Sequence, residues 1–197
     1  MSAIARPSAV RLRRAAFAAL AVALLPLCVA RSQTAALPEY NVKAAFLLNI
    51  AKYSNWPPQS FSDPAAPIVL GIFGDDPFGP ALDRLVHGRV INDRKITVRR
   101  SRRVADLRGA HVVFINASEN DRAAAICGSL SESGVLCVGD SEGTAAFTAI
   151  NFSLENGRVV FSVNLAAVKK SNIAISSKLL HLAKSVTGAP AGEKGRP

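Results

Sequence analysis

The apolar positions of this chain change period along its length, and the changes mark its elements. From Glu39 to Lys52 they recur at helical spacing. Val42, Ala45, Phe46, Ile50 and Tyr53 form one stripe, and Leu47, Leu48 and Ala51 make a second side apolar. Such a helix is buried on most faces or offers one face to a partner. Asn49 falls inside the stripe, where a buried, hydrogen-bonded Asn is expected. Asn55-Trp56-Pro57-Pro58 ends the helix, and a proline-rich loop runs to Pro67. Ile68–Phe73 is a continuous apolar run, the pattern of a strand covered on both faces. Asp76 as N-cap and Pro77 at the first helical position then open a helix to about His87. Ile96–Val98, His111–Ile115 and Val135–Val138 read as strands, with a helix over Asp121–Leu130 and extended chain over Thr144–Phe152.

The C-terminal third reads as one supersecondary unit. Ile150–Leu154 and Arg158–Val163 are β-rich runs around Glu155-Asn156-Gly157, whose Asn-Gly pair tolerates the positive φ of a tight hairpin. A helical segment carries Leu165, Val168 and Ile173, and a final helix carries Leu179, Leu180, Leu182 and Val186. The alternation predicts an α/β fold. The expectation is a single three-layer domain, its partly parallel mixed sheet flanked by helices, closing in a C-terminal β-hairpin and helices.

The ends have a different character. Arg6, Arg11, Arg13 and Arg14 precede an apolar run from Ala15 to Leu27 and a small-residue site at Cys28-Val29-Ala30, so residues 1–30 are expected to be a secretory signal peptide. A short linker is expected over 31–38, the α/β domain over 39–187 and a flexible tail over 188–197. Without the four basic residues of the leader, 20 of the 24 remain against 14 acids, so the net charge falls from +10 to +6. Much of the basic character is therefore targeting. The rest of the chain has no segment apolar and long enough to span a bilayer, so no membrane span is expected in the mature protein.

Candidate chemistry is sparse. Cys127 and Cys137 remain after cleavage, an even pair that is a possible disulfide or two buried thiols. Neither a CxxC motif nor a histidine–cysteine cluster is present, so no metal site is expected. No cofactor is expected either, since both phosphate-binding glycine motifs are missing. Gly139-Asp140-Ser141-Glu142-Gly143 fits G-x-S-x-G, but extended chain follows it instead of a nucleophile helix, and a turn is the expected reading. His181 and Glu155 are the partners a hydrolase would need. Three loops follow three predicted strands, at 74–79, 116–121 and 139–144. On parallel strands they share one sheet edge, which gathers Asp75, Asp76, Asp140 and Glu142 as a candidate ligand-binding set. Arg94, Lys95, Arg99, Arg100, Arg102, Arg103 and Arg108 form the one basic cluster. It lacks the interleaved aromatics of a nucleic-acid platform and reads as an edge strand over Ile91–Arg100, guarded by charge.

The order of these segments resembles one family. Tyr40-Asn41-Val42-Lys43-Ala44-Ala45-Phe46-Leu47 with Trp56-Pro57 is similar to the opening of YfiR-like proteins. Leu70-Gly71-Ile72-Phe73-Gly74-Asp75-Asp76-Pro77-Phe78-Gly79, the run His111–Ile115, Val138-Gly139-Asp140, Asn164-Leu165-Ala166-Ala167 and Ile175–Leu180 follow in matching order. The resemblance covers Glu39 to Val186. It implies a non-enzymatic periplasmic regulator that binds the periplasmic part of an inner-membrane diguanylate cyclase, or another membrane sensor, and lowers cyclic di-GMP production. It also implies a homodimer. Many relatives carry a Cys where this chain has Ala110, so a disulfide at that position is excluded.

Within that expectation the contact surface includes Asn164, Leu165, Val168, Lys178 and Leu179, which combine apolar anchors with an orienting charge, core packing being the equal alternative for each of Leu165, Val168 and Leu179. Glu at Val168 and Leu179 should then free the partner with the fold intact. A periplasmic small-ligand-binding protein using the sheet-edge loops is the competing expectation.

Overall fold

Two interleaved apolar registers build the centre of the molecule. A computed structural model describes residues 36–188. The signal peptide expected at 1–30, most of the 31–38 linker and the tail beyond Gly188 lie outside the described residues.

Helix α1 spans Ala36–Lys52. Strand β1 (Ser54–Asn55) follows it, then a 3-10 turn at Pro58–Ser60, then β2 (Ile68–Phe73). Next come α2 (Pro80–Val86), β3 (Val90–Ile91), β4 (Arg94–Ser101) and β5 (Val112–Ile115). Helix α3 covers Ala123–Ser131 and β6 Leu136–Gly139. The hairpin is β7 (Ile150–Glu155) and β8 (Arg158–Asn164). The chain then forms α4 (Leu165–Lys170), β9 (Ala174–Ile175), α5 (Ser177–Leu182) and β10 (Ser185–Thr187).

Eight strands form one mixed sheet in the order β10-β8-β7-β6-β5-β2-β4-β3. The neighbours from β4 through β2, β5 and β6 to β7 are parallel. β8 runs antiparallel to β7, and β10 returns parallel to β8. β1 and β9 make a separate antiparallel ribbon, with Ser54 opposite Ile175. The α/β expectation therefore holds, with helices on both faces of a mixed sheet.

Strand alternation sorts the core into two layers. Ile68, Leu70, Ile72, Val112, Phe114, Leu136 and Val138 face α1, α2 and α5. Val69, Phe73, Val113, Ile115 and Cys137 face α3. Because both faces are covered, β2, β5 and β6 are buried throughout and read as unbroken apolar runs.

Several sequence readings shift. The core face of α1 is Ala44, Leu47, Leu48, Ile50 and Ala51, whereas Val42 is 44% exposed and Ala45 faces solvent. Asn49 is half-buried, and its backbone carbonyl accepts from Tyr53 N–H at 2.9 Å. Asp76 caps no helix: its carboxylate accepts from Phe78 N–H at 2.8 Å in a turn, and α2 begins four residues later at Pro80. Thr144–Ala149 is not extended; a 3-10 turn at Glu142–Thr144 delays the strand to Ile150. Ile173 lies beyond α4, and Val186 belongs to β10, not to a helix.

The hairpin is as read: Glu155 pairs with Arg158 across Asn156 (φ 48°) and Gly157 (φ 74°). β4 is longer than expected because it pairs with β2 along six residues, from Ile96 to Ser101. β3 covers its other side only at Arg94 and Lys95, which leaves the basic stretch an open edge.

Candidate functional site

The three loops after β2, β5 and β6 meet at one sheet edge, since those strands are parallel and adjacent. Their centre is a buried ion cluster. Lys43, on α1, pairs with Asp140 at the end of β6 and with Glu39 one helical turn earlier. The Lys43 side chain is 4% exposed, Asp140 2% and Glu39 24%. Tyr40 donates its hydroxyl to the second Asp140 oxygen at 2.7 Å. Its ring meets Phe78 edge-on at 5.5 Å and carries the Lys43 ammonium 4.5 Å from its centre. Burial first, then the bond to Asp140, holds the Tyr40 phenol well above its usual pKa. Tyr40, Lys43 and the core residues Leu47 and Ala51 recur at three- and four-residue steps, so the ionic contacts and the apolar face of α1 share one side of the helix.

Lys43 is the residue of this cluster that periodicity misses. A lysine amid apolar positions reads as solvated, and its partner lies 97 residues away. The signal was indirect: Tyr40 and Lys43 one turn apart, with an Asp just after a buried strand.

The other acids of this edge are also committed. Asp75 pairs with Arg102, and Asp76 accepts from Arg100 Nε at 2.7 Å. Arg100 also reaches Asp83 at 2.7 Å, and the bond to Asp83 first, then that to Asp76, raises its pKa against the opposing effect of burial. Glu142 is exposed in the 3-10 turn. The candidate ligand set Asp75, Asp76, Asp140 and Glu142 thus shares an edge, yet three of its four carboxylates are neutralised by cations. Among the described residues, no group of three or more His, Cys, Asp or Glu is placed to hold a metal ion.

Ser141 is turned inward to build the loop. Its hydroxyl donates to Asn120 Oδ1 at 2.7 Å, and a reciprocal capping arrangement ties it to Thr144. Thr144 in turn donates to Asn151 Oδ1 at 2.7 Å. The two residues a hydrolase reading would enlist are elsewhere: His181 is exposed on α5, and Glu155 pairs with Lys184.

Gly139 makes this loop possible. A Cβ there would collide with Thr144 Oγ1 and Asn151 Oδ1 and lie 2.8 Å from Thr144 Cβ. Gly139→Ala is expected to cost about 3 kcal/mol, the upper end of overpacking, read as a lower urea midpoint at unchanged slope.

Cys127 of α3 and Cys137 of β6 face each other across the helix–sheet seam, both buried and both free thiols. The neighbouring Cys127 and full burial push the Cys137 thiol well above its ordinary pKa.

The expected partner-binding residues divide. Asn164 spends its side chain on capping α4, accepting from Ala166 and Ala167 N–H at 3.1 and 3.3 Å. Leu165 is half-buried and Lys178 exposed. Val168 is 5% exposed and Leu179 0%, so both belong to the core and present no surface. Shallow grooves of about 490 and 560 Å3 flank α4. Asn164, Phe147 and Lys170 line the first, Leu165, Lys169 and Gly188 the second. Phe147 is 44% exposed.

No curated protein matches this chain. Among solved structures, it is similar to a conserved domain protein from Vibrio cholerae, at 9% identity and a TM-score of 0.49. That match covers 75% of this chain and 60% of the other, so the chain spans less than two thirds of that protein's length. The model of the YfiR/HmsC-like family matches residues 40–184. This is a family of periplasmic regulators in cyclic di-GMP signalling, and not a known enzyme family. The match takes in β1 to β9 and the buried Tyr40–Lys43–Asp140 cluster, and ends just before β10. The chain therefore belongs to the YfiR/HmsC-like family.

Proposed function

We infer that this protein is a periplasmic repressor, which binds the periplasmic sensor part of an inner-membrane diguanylate cyclase and holds it inactive. Family membership carries this reading. The surface around α4 supports it. Half-buried Leu165 and exposed Phe147 offer apolar anchors in the two grooves, Lys169 and Lys170 line those grooves with positive charge, and Lys178 is exposed on α5. Anchors in shallow grooves with a charged rim are the usual make-up of a protein interface. Docking that favours only the off state lowers cyclase output by the difference in affinity between the two states.

The test is Leu165→Asp, alone and with Lys178→Glu, in cells that carry the cyclase. Both sites are outside the fully buried core, so the melting temperature is expected to change little. Cyclic di-GMP is expected to rise towards the level of a strain lacking the protein. Full repression by a stable double variant places the docking surface elsewhere.

A further inference from the structure

Three buried polar atoms among the described residues have no hydrogen-bond partner: Ser54 Oγ, Trp56 Nε1 and His111 Nε2. They are not scattered. Ser54 and Trp56 line one cavity of about 220 Å3, with Phe61, Ile68, Asn92 and Arg94 among its other walls. His111 packs on two of those walls, stacked on Phe61 at 4.5 Å and edge-on to Trp56 at 5.5 Å. Ile68 opens β2 and His111 precedes β5, so this cavity lies at the sheet edge opposite Asp75 and Asp140.

The unpartnered atoms share one chemistry. The indole N–H can only donate, and the serine hydroxyl can donate. His111 Nδ1 accepts from Val69 N–H at 3.1 Å, which leaves the proton of the neutral ring on Nε2. Burial and then the charge of Arg94 push this histidine down to about 4, so it is neutral at ordinary pH. The Ser60 carbonyl lies near the ring and partly opposes that shift, but it does not reach bonding geometry with Nε2. Arg94 supplies a cation. Its Nη1 donates to the carbonyls of Asp63 and Ala66 at 3.2 and 2.7 Å, and the guanidinium lies 3.6 Å above the Phe61 ring. A guanidinium has five N–H groups, so donors remain beyond those two bonds. Ser54 is fully buried, so its hydroxyl, left without a partner, carries the desolvation cost of a lost hydrogen bond.

Donors and a cation around aromatic walls complement a small, acceptor-rich anion with an apolar body. We propose that this cavity binds a small organic carboxylate. Its oxygens accept from Ser54, Trp56 and Arg94, and its carbon body lies against Trp56 and Phe61. The volume is below the roughly 300–1,000 Å3 of drug-sized pockets, which points to a metabolite of a few carbons. This site is independent of docking at α4. Ordered water is the rival occupant, since water also accepts from buried donors.

Trp56 is the only tryptophan of the chain, so the cavity can be read directly. The purified protein is titrated with acetate, lactate and succinate at constant ionic strength, following tryptophan emission and the single indole N–H resonance. One carboxylate is expected to move both saturably by about 10 mM, ten times a Kd of about 1 mM. Ser54→Ala is expected to weaken that titration about tenfold without lowering the melting temperature, because it deletes a hydroxyl the protein leaves unbonded. Equal saturation by inorganic phosphate or chloride overturns the carboxylate assignment in favour of an unselective anion site. The absence of any saturable change, or a Ser54→Ala variant with lower stability and an unaltered titration, identifies the occupant as water and overturns the proposal.

Discussion

Leu179→Glu is expected to unfold the domain. Leu179 is fully buried in the layer beneath α5, among the residues that pack against β7 and β8. The substitution removes a core side chain, which costs about 2–5 kcal/mol by itself. It also places a carboxylate where nothing pairs with it, a further penalty of several kcal/mol even after relaxation. Together these are comparable to the lower part of the roughly 5–15 kcal/mol that holds a typical domain folded. Circular dichroism of purified Leu179→Glu should show lost structure, and the variant should accumulate poorly in cells. Under the proposed function such a variant would free the cyclase in cells, but through loss of the folded protein and not through a broken interface. A stable, folded Leu179→Glu protein would show that α5 is only loosely docked.

Lys43→Met is expected to cost about 3–5 kcal/mol, the usual consequence of removing one partner from a buried pair. Asp140 would keep only the Tyr40 hydroxyl, with Glu39 as a second negative charge on the same helix turn. Asp140→Asn should cost less, roughly 1–2 kcal/mol, because Lys43 retains Glu39 and the amide can still accept from Tyr40. The order of the two variants matters more than either value. Urea midpoints measured at pH 7 give it directly. Should Asp140→Asn prove the more damaging, the cluster is held by hydrogen bonding to the carboxylate and not by charge.

The architecture was legible because the sheet is buried on both faces. Unbroken apolar runs at Ile68–Phe73, Val112–Ile115 and Leu136–Gly139 leave little choice but strands, and Asn156-Gly157 fixes the hairpin turn. What failed was local. Asp76-Pro77 looks like a helix start, yet Asp76 is drawn to Arg100, 24 residues away, and the helix waits for Pro80. Thr144–Ala149 has extended-chain composition, but Thr144 is claimed by Ser141 and Asn151 and bends the chain. The side assigned to the apolar face of α1 was rotated, because Lys43 sits on the buried side and pattern reading counts a lysine as solvated. The candidate acids were placed on the right edge, but their cations come from β4, the residue just after it and α1, a pairing that only tertiary structure reveals. Val168 and Leu179 show the same limit: an apolar residue on a short helix reads alike whether it faces the core or a partner.

Calorimetric titration of this protein against the purified periplasmic sensor segment of the inner-membrane diguanylate cyclase from the same organism tests docking most directly. The account predicts saturable binding with a Kd near or below about 1 µM, and at least tenfold weaker binding for Leu165→Asp, which is about 1.4 kcal/mol or more. Heatless mixing of the two folded proteins at about 100 µM, at each of two well-separated temperatures, would contradict it.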